Sequence, residues 1–361
     1  MGDDRRSRRP PNSRTFALAI IATSVLAASL SAWVISLPTA KPDFAILWGA
    51  MQVDRPYDPA NVASYLGWRD GSPPATFVYA PSAIPIFAAF GQLSLGLAIT
   101  LWGALSGAAL ALSSRSPWAP LLLLAPAVLW ALPGGQTTIL VGALTFGGLQ
   151  LLYRPAIAGV LFGLGLSLKP QLVLLIPLAL LLARQWRPLL ATAATFLAMS
   201  LLSALLFGPE LWISWLQSLP DFLALHEANN ALRRNEIAFG LPAWLRVLAV
   251  LAGAILTARA IQRQNPVGAF VIAAGCALIA SPHAMGYEFA VLAPAYICLI
   301  AQRGWSASAT IVLIITPILV WAFGDAILPF MPRLIALVML VAATIVDAEL
   351  RREERKDPAL A

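Results

Sequence analysis

The chain has 361 residues, a formal net charge of +7, 59% hydrophobic and 11% charged residues, and a mean hydropathy of +0.78. Soluble domains carry about 25% charged residues, so a soluble core with a polar shell is excluded. The basic excess is not a nucleic-acid signature, because the arginines and lysines sit at the two ends and in short links between apolar runs, where the positive-inside rule places them.

Residues 1–15 (MGDDRRSRRPPNSRT) read as a disordered basic cytoplasmic tail. The run 16–36 is long for a signal-peptide core and lacks a convincing cleavage site before Pro38, so it reads as a retained first membrane helix. Further apolar runs fall at 76–92, 95–112, 118–132, 136–152, 155–168, 171–183, 188–207, 243–262, 267–281, 287–301, 306–323 and 330–347. They are continuously apolar rather than alternating, which selects helices over a membrane barrel. The expectation is an all-α polytopic membrane protein, with a transmembrane domain over 16–349 and a charged cytoplasmic tail over 350–361. Cys276 and Cys298 lie inside runs and read as small hydrophobes. With His226 and His283 as the only histidines, no histidine-rich metal cage is expected, and no metal or other cofactor is assigned.

The arginines give a topology. The N-terminal cluster, Arg115, Arg154, Arg184 with Arg187, Arg259 with Arg263, Arg303 and the C-terminal RREERK fit the cytoplasmic side. The links between them then face outward: 37–75, Pro133–Gln136, Lys169–Pro170, 208–242, Ser281–His283 and Gly324–Asp325. Two of these, 37–75 and 208–242, are long, mix aromatic and charged residues, and read as outer loops on the membrane surface. The alternation needs an odd number of crossings between 76 and 112, where two runs occur; one of them is then re-entrant or interfacial. That gives roughly 12 crossings of about 20 residues each, with both termini inside.

The outward links hold the candidate chemistry. Asp43 follows the first helix, beside Phe44 and Trp48, where partial desolvation raises a carboxyl pKa and suits a general base. An ordinary solvated loop aspartate is the alternative. Lys169 is the only charge between Arg154 and Arg184, and Pro170 breaks the helix beside it. It reads either as a cation for an anionic head group or as a snorkelling lysine, since mid-membrane placement costs about 2.5–3.5 kcal/mol. His283, with Glu288 five residues on, reads as a phosphate donor or as a satisfied helix-end histidine. Taken alone, Tyr79 in FVYAP and Gln136 in PGGQ are ordinary entry and turn residues. No phosphate-binding loop, dinucleotide fingerprint, HExxH or GxSxG motif is present.

Five pieces in this order, DFAILWGA with YDPA, FVYAP, GGQTTILVGAL, AGVLFGLGLSLKPQLVLLIPLALLLARQWRPL and SPHAMGYE, resemble glycosyltransferase family 87 of the GT-C superfamily. That family includes polyprenol-phosphate-mannose-dependent α-1,2-mannosyltransferases. The chain departs from the family at Ala80, where a second proline often follows the tyrosine, and at Asn235-Glu236-Ile237, where only the asparagine of an Asn-Gln-Ser element matches.

The resemblance implies a GT-C-like helical bundle and an inverting hexosyl transfer, with mannose as first expectation. The donor is a polyprenyl-phosphate sugar and the acceptor a glycolipid or glycan at the outer face of the plasma membrane. It assigns Asp43 as base, Lys169, His283, Arg233 and Arg234 to the donor phosphate, and Tyr79, Gln136, Asn235 and Glu288 to sugar or acceptor. A secondary transporter or flippase of lipid-linked saccharides is the main rival, though no internal repeat supports it. A lipid-linked oligosaccharide polymerase or ligase and a non-catalytic membrane subunit are the others.

Overall fold

The structure is a computed structural model, and residues 13–37, 41–68, 75–228, 241–281 and 283–303 are described. The runs at 306–323 and 330–347, the link Gly324–Asp325, residues 1–12 and the C-terminal tail lie outside the described residues, while residues 13–15 of the expected N-terminal tail belong to the first helix. Those described are helical, joined by short links, with no β-strand among them. Four helices are long and apolar enough to cross a membrane: Ser13–Ser36, Leu95–Ser114, Trp186–Phe207 and Ala243–Gln262. Shorter apolar helices, Thr138–Gln150, Pro155–Leu168, Pro170–Leu182 and Pro266–Ala280, pack among them.

Proline sets many of the boundaries. Helices begin with Pro at the first or second position at Pro59, Pro126, Pro155, Pro170 and Pro266. That position needs no N–H donor, and the residue before it is pushed out of the α region. The same rule splits the run 118–132 into Ala119–Leu122 and Pro126–Ala131. The run 76–92 is likewise not one helix. Residues 75–80 have no regular secondary structure, and only Pro81–Gly91 is helical. Eleven residues rise about 16 Å, half of a hydrocarbon core of about 30 Å. The run 287–301 opens as a 3₁₀ segment, Gly286–Leu292, before becoming the α-helix Ala293–Arg303.

The two long polar stretches contain helices of their own. The first contains the helices Asp43–Ala50 and Pro59–Tyr65. The second contains a 19-residue helix, Glu210–Ala228. Its charged residues obscure a helical period in the sequence: Trp215, Leu219 and Phe222 recur at helical spacing and share one face. Gly208, with a positive φ of 87°, separates it from Trp186–Phe207.

Packing follows membrane rules, in which small residues let backbones approach. Gly103 and Gly107 meet Ser31, Ala27 and Thr23 of the first helix. Gly159 and Gly163 meet Ala191, Thr192 and Thr195 of Trp186–Phe207 in the same way. Beneath the Asp43–Ala50 helix, Phe44, Phe87, Phe90 and Trp102 form a cluster of ring contacts. Tyr57 is buried and donates to the Tyr79 carbonyl, and Trp48 donates to that of Leu93. Phe44, Trp48 and Tyr57 of the first stretch are therefore fastened to the fold around them.

Candidate active site

The Asp43–Ala50 helix begins where Pro42 ends an extended link, which places Asp43 in its first turn. The first N–H groups of a helix lack internal partners. That of Phe44 donates to the Gly134 carbonyl at 3.0 Å. The turn that supplies this carbonyl ends the Pro126–Ala131 helix. Gly135 donates to Leu132 and Gln136 to Ala131, with Gly135 left-handed at φ +69°. This is the bonding pattern of a Schellman cap. A Cβ on Gly135 would lie 2.4 Å from the Phe44 Cβ, so the close approach also requires glycine. Beyond the turn, the Gln136 amide donates to Asp43 Oδ2.

A second group forms 31 residues on from Thr138. Lys169 adopts an extended backbone because Pro170 follows it, so its side chain leaves the chain at a helix break. It is 6% exposed, and its ammonium pairs with Glu288 Oε1 and donates to Thr138 Oγ1 at 3.0 Å. Thr138 in turn donates to Glu288 Oε2 at 2.6 Å. Both carboxylate oxygens of Glu288 are thus engaged, as a buried charge requires. Glu288 reaches this position because its segment packs on the Thr138–Gln150 helix at Gly142, where a Cβ would lie 2.3 Å from the Val291 carbonyl. Tyr79 bonds Thr137 through its hydroxyl at 3.0 Å, and the Tyr287 ring lies 5.8 Å from the Lys169 ammonium.

These residues share one cavity of about 390 Å³. Asp43, Tyr79, Gln136, Lys169, His283 and Glu288, all singled out from the sequence, line it together. Trp215, Leu219, Phe222 and Leu225 of the Glu210–Ala228 helix form an apolar part of its lining. That part is tied down by Trp215, which donates to the Val78 carbonyl at 3.2 Å, and by an edge-on contact of Phe222 with the His283 ring at 5.2 Å. Charged and apolar side chains therefore line the same cavity. Burial raises the Asp43 carboxyl above its usual range, against the lowering influence of Lys169 and of the Gln136 amide, while Glu288 adds to the rise.

Some assignments meet a different geometry from the one expected. Lys169 is a cation already paired with an acid, and Gln136 faces Asp43. Arg233, Arg234 and Asn235 lie outside the described residues. Sequence reasoning missed Thr138, Tyr287 and the cavity face of the 210–228 helix. Thr138 and Tyr287 each adjoin motif residues, in GGQTT and GYE, and that adjacency was the available signal. Among the described residues, no group of three or more His, Cys, Asp or Glu side chains is placed to hold a metal ion.

The links bearing arginines gather elsewhere. Arg115 lines one further cavity, and Tyr153, Gln185 and Gln264, the chain neighbours of Arg154, Arg184 and Arg263, line another that shares Gln150 and Pro266 with it. Thr138–Gln150, Pro155–Leu168 and Pro266–Ala280 each run between the charged cavity and this second group of links.

Fold and site together define a helical membrane protein with a cavity, lined by both charged and apolar side chains, where its helix breaks converge. The model of glycosyltransferase family 87 matches residues 77–282, more than half of the chain, and the protein belongs to that family. No curated protein and no solved structure matches it. It is thus a membrane glycosyltransferase.

Proposed function

We propose that the protein transfers a hexose, mannose first among the candidates, from a polyprenyl-phosphate donor to a glycolipid or glycan acceptor at the outer face of the plasma membrane. The observation that carries this reading is the mixed lining of one cavity, in which Asp43 and Lys169 meet the apolar side chains of the Glu210–Ala228 helix. Its volume falls within the usual range for ligand sites, about 300–1,000 Å³. A lipid donor stays in the bilayer because each buried CH₂ is worth about 0.8 kcal/mol, so the enzyme must meet it at head-group depth. The apolar side chains suit the first isoprene units, and the charged ones suit the phosphate and sugar.

Asp43 accepts the proton of the acceptor hydroxyl. The acceptor oxygen attacks the anomeric carbon from the face opposite the phosphate. The bond from that carbon to the phosphate oxygen breaks, and its electron pair leaves with the polyprenyl phosphate. The configuration inverts. Negative charge grows on the departing phosphate, and Lys169 is placed to stabilise it. Because Lys169 is paired with Glu288, the phosphate competes with that carboxylate for the ammonium. His283 and, by resemblance, Arg233 and Arg234 supply further donors to the phosphate, while Tyr79 and Glu288 meet sugar hydroxyls.

The test is direct. Protein reconstituted in vesicles is given labelled polyprenyl-phosphate mannose, glucose or arabinose together with a membrane-extract acceptor. The expected result is label on the acceptor and free polyprenyl phosphate. Label that crosses the vesicle with its glycosidic bond intact would instead favour a flippase.

A further inference from the structure

The amide at Gln136 was expected against sugar hydroxyls. Three independent features instead direct it to Asp43. The Gly134 carbonyl takes the otherwise unpartnered N–H of Phe44, and so docks the first turn of the Asp43 helix on the turn that bears Gln136. Gly135 is left-handed and has no room for a Cβ, so the docking is closer than any other residue permits. Gln136 is 6% exposed, and its nitrogen donates to Asp43 Oδ2 across 93 residues of sequence. An ionised carboxylate only accepts hydrogen bonds, which fixes which end of the amide faces it.

We propose that Gln136 is a positioning residue for Asp43: it pins Oδ2 so that Oδ1 is presented to the acceptor hydroxyl, and the Gly134–Gly135 turn sets the distance at which it does so. This deepens the reading of Asp43 as general base and rests on it. The geometry gives the amide two tasks. It fixes the carboxylate rotamer, and it lends a donor to the ionised form, which opposes the effect of burial. Asp43 is faced also by Lys169, Glu288, Tyr287 and Tyr79, and His283 lines the same cavity. All of these remain in place when only the amide is removed.

The test uses Gln136→Met, which keeps the side-chain length and removes the donor. The donor and acceptor KM should stay within about two-fold of wild type, while kcat falls about 10- to 100-fold, the size of a lost hydrogen bond to a charged group. The acid limb of the kcat/KM profile should move to higher pH, because the ionised carboxylate has lost a donor. In an Asp43→Asn background, Gln136→Met should change the residual rate little, since the two residues act as one unit. A raised KM with an unmoved acid limb would make Gln136 a substrate ligand and overturn the proposal. Unimpaired transfer by Asp43→Asn would instead overturn the reading of Asp43 as base, a separate outcome. If Gln136→Met does not accumulate folded, Gln136→Asn keeps the amide on a shorter arm and is read by the same two measurements.

Discussion

Replacing Gly135 by alanine tests the link between the turn and the chemistry. The new Cβ would sit 2.4 Å from the Phe44 Cβ and 3.0 Å from its Cγ. Carbon atoms settle at about 3.5–4.0 Å, so the first turn of the Asp43 helix must retreat by about 1 Å. A left-handed alanine costs about 1–2 kcal/mol, and overpacking adds about 1–3 kcal/mol. The structural cost is thus about 2–5 kcal/mol. Asp43 adjoins Phe44 and moves with it, and a 1 Å misplacement at a reacting group costs about 10²-fold in rate. Gly134 is the control. Its φ is not positive, and the nearest atoms to its added Cβ are at 3.7 Å. Gly134→Ala should therefore stay within about 0.5 kcal/mol of wild type in stability and transfer sugar at a near-normal rate. The assay pairs thermal unfolding in detergent with initial rates on the polyprenyl-phosphate donor. Equal behaviour of the two alanines, or full activity of Gly135→Ala, would refute the claim that this turn sets the position of Asp43.

Three further outcomes follow from the cavity. Asp43 must be ionised to accept a proton, and burial raises its carboxyl above the ordinary 3.8, so activity on acidification should fail at a higher pH than an exposed aspartate would allow; a pH–rate profile whose acid limb matches an exposed aspartate would contradict this. The same shift bears on stability. A folded value above the unfolded one contributes stability below the unfolded value and loses it as pH rises through the folded value, so at neutral pH the ionised Asp43 is a cost to the fold. Asp43→Asn should then raise the thermal midpoint at pH 7, and a lowered midpoint would count against the burial argument. For the buried pair, Lys169→Met should destabilise by about 3–5 kcal/mol by leaving Glu288 uncompensated. Adding Glu288→Gln should recover most of that loss in the same melt, and additive losses would show that the two side chains are not coupled.

The helical plan was legible where one residue type dominates the physics. Pro155 and Pro170 bracket a helix whose ends could be read directly from Arg154-Pro155 and Lys169-Pro170. Proline inside longer apolar runs was harder to read. Pro126 split one run, and Pro81 started the helix of another only after an irregular entry over 76–80, because hydropathy does not report backbone geometry. The convergence of six expected residues on one cavity was legible only through resemblance, since the links are scattered along the chain. Their pairings were not legible. Lys169 and Glu288 lie 119 residues apart, and Gln136 and Asp43 lie 93 apart, so nothing local marks them as partners. The apolar part of the lining was missed for another reason. The polar residues of 208–242 masked the period of Trp215, Leu219 and Phe222.

The central claim is that Asp43 takes the acceptor proton during transfer from a polyprenyl-phosphate sugar. The most direct measurement is single-turnover transfer by Asp43→Asn, with donor binding and the thermal midpoint recorded on the same preparation. The account predicts a folded protein that binds donor and forms product at least about 10²-fold more slowly, the lower range for a lost general base. Product formed at the wild-type rate by the folded variant would contradict it.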